Sequence, residues 1–353
     1  MHFANFRSAN TSLLSRISLT TRAYQTMTNI QKKYRVLVTR TLPERAQKRL
    51  EQEEKLDIVQ WEDCKTREDF LRDIKGMDGT LCMFSERIDQ EAIEAAGPQL
   101  KVVSTFSVGY DHIDVPVCKK HDVKVGNTPD VLTDATADIT ASLVLMAARR
   151  LSEAVDAARN GQWGAWDPTW LLGVQMTNKT LGVVGLGRIG EAVAVRLKAF
   201  GISRILYHGR SERKEQAARL NAEFADFDTL LKESDVIVVC CALTPETREM
   251  FNYDAFKRMK RTALFVNTAR GGIVQQDDLV RALEEDLIGG VGLDVTSPEP
   301  LPTDHALFKF NKCVILPHLG SATVETRNAM GCIAIDNLLA GLEGKALPYS
   351  VNN

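Results

Sequence analysis

The chain has 353 residues, of which 44% are hydrophobic and 25% are charged, and its formal net charge at pH 7 is −2. This length exceeds what one ordinary hydrophobic core takes up, and it predicts a globular protein of two domains. The nearly balanced charge gives no reason to expect a nucleic acid as partner. The longest apolar runs, such as residues 236–242, have the length of a strand, so we expect neither a membrane span nor a membrane partner.

Residues 1–32 differ in composition from the rest of the chain. No Asp or Glu precedes Glu44, whereas Arg, Ser and Thr are frequent. This composition is typical of a mitochondrial transit peptide, with a disordered tail or translation from Met27 as the alternatives. We therefore expect a cytoplasmic location, a mitochondrial location or both, and a fold that begins near Lys33.

From Tyr34 onward, short apolar runs alternate with amphipathic segments. In the first half, the predicted strands are 35–39, 80–84 and 101–105, and the predicted helix is 43–54. Small and apolar residues at 134–151 then predict a long buried helix, and a segment rich in Trp and Gly follows it.

The same alternation returns in the second half. The predicted strands are 181–184, 204–207, 236–241, 263–267, 290–295 and 314–316, and the predicted helices are 188–199, 276–284 and 323–342. Strands that alternate with helices indicate parallel sheets covered on both faces, so the predicted fold class is α/β.

The seven cysteines are scattered and odd in number, which favours a reducing compartment. Cys240 and Cys241 fall inside an apolar run that we interpret as a buried strand. No group of cysteines and histidines has the spacing of a zinc site, so we expect no metal ion.

A glycine-rich turn, Gly185-Leu186-Gly187-Arg188-Ile189-Gly190, joins a predicted strand to a predicted helix. Because the GxGxxG sequence lies between a strand and a helix, it indicates a dinucleotide-binding turn. The alternative is a glycine turn that binds no ligand. Gly185 permits the tight turn, Gly187 lets backbone amides approach a pyrophosphate, and Gly190 lets the helix pack close to the strand. The positive end of the helix dipole then faces the phosphates, and Arg188 and Ile189 are further predicted contacts of a nicotinamide dinucleotide.

The end of the next predicted strand indicates which dinucleotide binds. An NAD enzyme usually has a carboxylate there for the ribose hydroxyls, whereas this chain has Arg210, with Ser211 and Arg213 beside it. A guanidinium suits a 2′-phosphate. We therefore predict NADPH as the cofactor, with NADH possible and a solvated basic helix start as the alternative.

Three chemically suitable side chains follow predicted strands of the second half: Arg270, Glu299 and His318. Because ligands of open α/β sheets bind at the carboxyl ends of the strands, we expect the three to converge. Reduction of a 2-keto acid needs a cation or donor for the ketone and a general acid, and a His318 imidazolium favoured by Glu299 fits the second role. The alternative for Arg270 is a surface ion pair, and the alternative for Glu299 is the structural role of a turn residue. His112 is a weaker alternative to His318 as the proton donor.

These motifs resemble those of the D-isomer-specific 2-hydroxyacid dehydrogenase family, and the similarity covers the chain from Arg35 to Leu347. Besides the glycine turn, it rests on Asn267-Thr268-Ala269-Arg270-Gly271, Gly292-Leu293-Asp294-Val295 with Glu299-Pro300, and Pro317-His318-Leu319-Gly320-Ser321. The resemblance implies hydride transfer between a nicotinamide and a small 2-keto or 2-hydroxy acid, with NADPH-dependent reduction of glyoxylate and hydroxypyruvate as the activity.

The resemblance also implies roles for the residues that bind substrate. His318 would donate the proton, Glu299 would be its partner, and Arg270 would anchor the substrate. The amides of the turn at Val108 and Gly109 would bind the carboxylate. Ser321 would border the other end of the substrate.

On the cofactor side, the resemblance places Asp294 and Gly320 beside the nicotinamide and Thr268 beside the ribose. Ala242 stands where a polar cofactor contact is expected, so one hydrogen bond would be missing. The family would form a homodimer in which a tryptophan of the partner subunit closes the pocket. Trp166 is our candidate for that tryptophan, with ordinary interface packing as the alternative.

The resemblance implies two Rossmann-like or flavodoxin-like domains. Residues 33–131 and 324–353 would form a discontinuous substrate domain, and residues 132–323 the dinucleotide-binding domain. Two other functions stay open at this point: a phosphoglycerate-type dehydrogenase, and a dinucleotide-sensing binding protein like the corepressors that share this fold.

Overall fold

The computed structural model describes residues 33–352, so the predicted transit peptide lies outside the described residues. Two parallel sheets organise this part of the chain, which confirms the α/β fold class. No helix within residues 33–352 combines the length and the apolar character needed to cross a bilayer.

The first sheet has five strands: β1 (Tyr34–Val38), β2 (Leu56–Gln60), β3 (Gly79–Cys82), β4 (Val102–Thr105) and β5 (Lys124–Gly126). They lie in the order β2-β1-β3-β4-β5. Helical crossovers join the strands, as parallel neighbours require: α1 (Glu44–Glu51), α2 (Arg67–Asp73), α3 (Gln90–Ala96) and α4 (Val115–Lys120).

The second sheet has seven strands: β6 (Thr180–Val184), β7 (Arg204–His208), β8 (Ala222–Phe224), β9 (Val236–Val239), β10 (Leu264–Asn267), β11 (Gly290–Leu293) and β12 (Cys313–Ile315). Their order is β12-β11-β10-β9-β6-β7-β8. The helices of this half are α5 (Thr133–Ala148), α6 (Leu151–Arg159), α7 (Arg188–Lys198), α8 (Lys214–Leu220), α9 (Phe227–Glu233), α10 (Tyr253–Arg258) and α11 (Gln276–Glu284). Strands β9, β10 and β11 are buried along their whole length because helices cover both faces of the sheet.

The last helix, α12 (Val324–Leu342), returns to the first sheet. Its Ala334, Ile335 and Leu338 share one apolar cluster with Val36 and Val102. Gly331 permits close contact with α1, since a Cβ atom there would lie 2.4 Å from the Cβ atom of Ala46. The end of the chain therefore packs on the sheet with which the described residues begin.

In each sheet the strand order reverses once: between β1 and β3 in the first sheet, and between β6 and β9 in the second. A crevice forms at such a reversal because the connections leave the two central strands on opposite faces of the sheet. Both crevices open at the carboxyl ends of the strands. The loops that carry the predicted site residues also begin at these ends, so they lie beside the crevices.

The structure corrects two predictions of local structure. The long helix expected at 134–151 is two helices, because Arg150 adopts a left-handed φ of +52° and the amide of Val174 caps the α5 end at the Ala148 carbonyl oxygen. The strand expected at 236–241 ends at Val239, so the two cysteines follow it and are half-buried. Apolar patterning does not predict β2, β5 and β8, because these strands are partly exposed or only three residues long.

Candidate active site

A cleft of about 1280 Å³ opens between the two sheets, beside both reversal points. Many of the predicted site residues line it: Val108, Gly109, Ile189, Ala242, Thr268, Arg270, Asp294, Glu299, His318, Gly320 and Ser321. The remaining predicted residues lie outside the lining of this cleft: Gly185, Gly187, Arg188, Gly190, Arg210, Ser211, Arg213 and Trp166. The expected convergence of Arg270, Glu299 and His318 therefore holds, whereas Trp166, also predicted to bind substrate, lies outside this cleft.

The glycine turn after β6 has the geometry that phosphate binding requires. Gly185 has φ of +97°, and a Cβ atom there would lie 2.7 Å from the amide nitrogen of Cys241. A Cβ atom on Gly190 would lie 2.2 Å from the Gly185 carbonyl oxygen. By contrast, apart from Gly187 itself and its chain neighbours, no described residue has an atom within 4 Å of the Cβ position of Gly187, which precedes the 11-residue helix α7. An anion can therefore approach the positive end of that helix, so the residues present fit a dinucleotide.

The basic residues after β7 follow the second-last strand of the second sheet. Arg210, Ser211 and Arg213 are exposed, and the Arg213 amide, at the start of α8, donates to the Tyr207 hydroxyl at 3.1 Å. A hydrogen bond from Thr244 lowers the pKa of Glu246, and the charge of Arg210 contributes to the same shift. Arg210 therefore lies within electrostatic reach of the loop that follows β9.

Arg188, in the glycine turn, contacts the end of the first half of the chain. Its Nε atom lies 2.7 Å from a carboxylate oxygen of Asp130. The guanidinium group is largely exposed, so this ion pair stabilises the protein little. Its position at the start of α7 nevertheless puts a cation beside the phosphate-binding turn.

His318 and Glu299 form a direct hydrogen bond in the cleft. The Nδ1 atom of His318 lies 2.5 Å from Glu299 Oε1, and both side chains are about one quarter exposed. His318 has φ of +55°, a left-handed conformation that is costly for a residue other than glycine and persists only where the surrounding structure holds it. The ring stacks on Phe84 with a centroid distance of 4.7 Å and an interplanar angle of 25°.

Asp294 organises the loop that carries His318. Its buried carboxylate accepts hydrogen bonds from the amides of Leu319 at 2.6 Å and Gly320 at 2.8 Å, and its carbonyl oxygen accepts from the His318 amide at 3.0 Å. Burial raises the pKa of Asp294, and the two amides oppose that shift. These bonds hold His318 in its left-handed conformation.

Arg270 follows β10 and is held across the cleft by the first half of the chain. Its Nε atom donates to Asp111 at 2.9 Å, and its Nη1 atom donates to the Ala269 carbonyl oxygen at 2.8 Å. A Cβ atom on Gly109 would lie 1.9 Å from Arg270 Nη2, so the guanidinium group packs directly on that glycine. Arg270 is therefore not a simple surface ion pair, because it joins the two sides of the cleft.

His112, the weaker rival as proton donor, is unsuited to that role. It is not among the residues that line the cleft, and its Nε2 atom lies 3.0 Å from the Thr105 hydroxyl. Burial lowers its pKa to about 4. The ring is therefore neutral at physiological pH, and its Nδ1 atom has no hydrogen-bond partner among residues 33–352.

The other predicted contacts have simpler surroundings. The Thr268 hydroxyl lies 2.7 Å from the Thr140 hydroxyl, and the Ala242 carbonyl oxygen accepts from Thr247 Oγ1 at 2.7 Å. Trp166 is 86% exposed in the irregular segment between α6 and β6 and is not among the residues that line the cleft.

Sequence analysis missed two side chains of the site. Phe84 stacks on the catalytic candidate His318, and Asp111 orients Arg270. Phe84 comes just after β3, and the rule that ligands bind at strand ends applies to it equally. Its apolar side chain carries no reactive group, so no sequence pattern distinguishes it from a core residue.

Comparisons with known proteins agree with this architecture. The family model of the NAD binding domain of D-isomer specific 2-hydroxyacid dehydrogenases matches residues 141–320. Human glyoxylate reductase/hydroxypyruvate reductase is 48% identical over 316 residues, which cover 89% of this chain and 96% of the human protein. A glyoxylate reductase of Thermofilum pendens is 44% identical over 323 residues, which cover 90% of this chain and 94% of that protein.

Solved structures have the same fold. A crystal structure from Thermus thermophilus superposes with a TM-score of 0.83 at 44% identity and covers 90% of this chain and 99% of that one. The NADPH-dependent glyoxylate/hydroxypyruvate reductase of Sinorhizobium meliloti, in complex with NADP and malonate, superposes with a TM-score of 0.79 at 32% identity, covering 91% of this chain and 97% of that one. With this similarity over nine-tenths of its length, the chain belongs to the D-isomer specific 2-hydroxyacid dehydrogenase family.

Proposed function

We propose that this protein reduces glyoxylate to glycolate and hydroxypyruvate to D-glycerate, with NADPH as the preferred hydride donor. The observation that carries the proposal is the His318–Glu299 pair, which shares one cleft with Arg270 and Gly109 beside a dinucleotide-binding turn. The printed names of the human and archaeal relatives support these substrates. The same names do not favour the phosphoglycerate-type or corepressor-like alternatives.

In this proposal Arg270 and Gly109 bind the carboxylate of the keto acid. The guanidinium offers two parallel donors, and Asp111 fixes its orientation through Nε. The Val108–Gly109 turn adds backbone donors without a side chain in the way. Ser321, also in the cleft lining, borders the opposite end of the substrate.

His318 supplies the proton. Because Nδ1 faces Glu299, Nε2 is the ring nitrogen left to face a substrate oxygen. A reduced nicotinamide, when bound, supplies the hydride that reaches the keto carbon. The keto oxygen then takes the proton from Nε2, and the neutral ring stays bound to Glu299 through Nδ1–H.

The cofactor is held by the second sheet. The Gly185–Gly190 turn and the α7 N-terminus face the pyrophosphate, with Arg188 and Ile189 beside it. Asp294, Thr268 and Gly320 line the nicotinamide and ribose side, and Ala242 adds only backbone. Two exposed cations, Arg210 and Arg213 with Ser211 between them, suit the 2′-phosphate of NADPH better than the ribose hydroxyl of NADH.

Residues 33–131 with 324–353 form the substrate domain in this proposal, and residues 132–323 form the cofactor domain. The packing of α12 on the first sheet supports the discontinuous division. Two copies form a homodimer, because the segment before β6 exposes a group of large apolar side chains: Trp163, Trp166, Trp170 and Leu172. Trp166 enters the partner's cleft.

The test is the absorbance of reduced nicotinamide with glyoxylate, hydroxypyruvate and pyruvate, each with NADPH and with NADH. We expect rapid oxidation of NADPH with the first two acids. Faster use of NADH would refute the cofactor preference alone. Absence of turnover with every pair would refute the reductase function.

A further inference from the structure

The substrate-binding turn is held from behind by a side chain outside the cleft. Asn127, the first residue after β5, donates through Nδ2 to the Val108 carbonyl oxygen at 2.8 Å. Asn127 is half-buried and is not among the residues that line the cleft. The Val108 carbonyl group therefore points away from the cleft.

The orientation of this carbonyl group decides where the next amide points. The Val108–Gly109 peptide is trans, so its C=O and N–H bonds point in opposite directions. The Gly109 amide is consequently directed toward the cleft. Gly109 also packs on Arg270, since a Cβ atom there would lie 1.9 Å from Nη2. The amide and the guanidinium are thus close enough together for one carboxylate to bind both.

Asn127 itself is fixed by the C-terminal part of the chain. The backbone carbonyl oxygen of Asn127 accepts a hydrogen bond from Asn337 Nδ2 at 2.9 Å. Its backbone amide donates to the Tyr349 carbonyl oxygen at 3.3 Å. Asn337 is fully buried on α12, and its Oδ1 accepts from the Tyr349 amide at 3.0 Å. Gly126 lets α12 come this close, because a Cβ atom there would lie 2.7 Å from Asn337 Cγ.

We propose that Asn127 is a positioning residue for the substrate carboxylate: anchored by Asn337 of α12, it turns the Gly109 amide toward Arg270. This proposal rests on the proposed function, since it assumes that a 2-keto acid binds in the cleft. It assigns the returning C-terminal helix a part in substrate affinity. A hydrogen bond that is directed correctly before binding costs no reorganisation when the anion arrives.

The test compares Asn→Asp substitutions at two residues beside β5: Asn127, which follows it in the chain, and Asn352, which is hydrogen-bonded to it. Asn127→Asp removes the side-chain amide donor and places a carboxylate oxygen opposite the Val108 carbonyl oxygen, so that two acceptors face each other. Asn352→Asp is the matched control, because Asn352 bonds the amide of Val125 and the carbonyl oxygen of Val123, both at 2.8 Å, without touching Val108. Asn127→Ala is a second variant, which removes the donor without adding a charge. The probe is oxamate, a non-reacting carboxylate with the shape of a 2-keto acid, titrated into NADPH-loaded protein.

We expect Asn127→Asp and Asn127→Ala to weaken oxamate binding and raise the KM for glyoxylate about tenfold or more. The reason is that the Gly109 amide no longer points at the substrate carboxylate, so a hydrogen bond to a charged group is lost. The kcat should stay within about twofold, and the NADPH affinity should be unchanged. Asn352→Asp should lower the melting temperature without changing oxamate affinity. A general loss of stability would not produce this separation.

Wild-type oxamate affinity in both Asn127 variants would overturn the proposal while leaving the reductase function intact. An equal loss of affinity in Asn352→Asp would also overturn it, because the effect would then be general to β5. If the wild-type protein neither reduces a keto acid nor binds oxamate, the proposed function and this proposal fall together.

Discussion

The two sides of the cleft are built from different chemistry. The second sheet contributes charged side chains, Arg270, Glu299 and His318, each on a loop just after a strand. The first sheet contributes the backbone at Gly109, the apolar ring of Phe84, and one carboxylate, Asp111, which bonds Arg270. The chemistry of a charged side chain belongs to a single residue. The direction of a backbone amide, in contrast, depends on hydrogen bonds from residues distant in the chain. The two sides should therefore respond differently to substitution.

The largest effect should come from the second side, at the proposed proton donor. His318→Ala should lower kcat by about 10²- to 10⁴-fold, the usual contribution of a general acid, with unchanged NADPH affinity. Steady-state rates with hydroxypyruvate and a fluorescence titration of NADPH measure the two quantities. His121→Ala is the control, because His121 is exposed on the first side at the end of α4. Full activity in His318→Ala would remove the proton-donor role.

Arg270→Lys should have the next largest effect, because lysine cannot bind a carboxylate with two parallel donors while contacting Asp111. We expect kcat/KM for glyoxylate to fall about 100-fold, mostly through KM. Arg204→Lys, which changes an exposed ion pair with Glu223, is the matched control. Similar kinetics in the two variants would contradict the assignment of Arg270 to the substrate.

The same contrast explains what sequence could predict. Apolar runs place β1, β4, β7 and β10 almost correctly, and helix α11 matches its predicted bounds. The charged residues of the second side are predictable because each follows such a run. Their convergence then follows from the geometry of parallel sheets.

The missed features depend on contacts remote in sequence. Arg150 breaks the predicted long helix although it is neither Gly nor Asn, because the returning Val174 caps α5. The left-handed conformation of His318 depends on Asp294, 24 residues earlier along the chain by numbering. The Asn127–Val108 bond joins residues 19 positions apart, and no local pattern marks it.

A smaller effect is expected at the exposed basic residues after β7, which are proposed to bind the 2′-phosphate of the cofactor. Arg210→Ala should raise the KM for NADPH about tenfold, the loss of a charge-assisted hydrogen bond, and leave the KM for NADH unchanged. Initial rates at saturating hydroxypyruvate with each cofactor measure this difference. Equal changes for both cofactors would mean that Arg210 does not contact the 2′-phosphate.

The last effect is on stability, through the pH dependence that the buried His112 contributes. Burial lowers the pKa of His112 from 6.5 to about 4, so between these values the unfolded chain binds a proton that the folded protein does not. Stability is therefore lost as pH falls through that window, at no more than about 1.4 kcal/mol per pH unit. Urea unfolding between pH 4.5 and 7 should show a shallower loss for His112→Asn than for wild type. Parallel curves would contradict the buried neutral state.

The central claim, that both sides of the cleft hold one keto acid for direct reduction, is tested most directly by the product. Hydroxypyruvate would be reduced with NADPH carrying deuterium at its transferable hydride position, and the product analysed by mass spectrometry and chiral chromatography. With the substrate held by Arg270 and Gly109 and its keto oxygen facing His318, as proposed, we predict D-glycerate with one deuterium on carbon 2. L-glycerate, a racemate, or a product without deuterium would contradict the account.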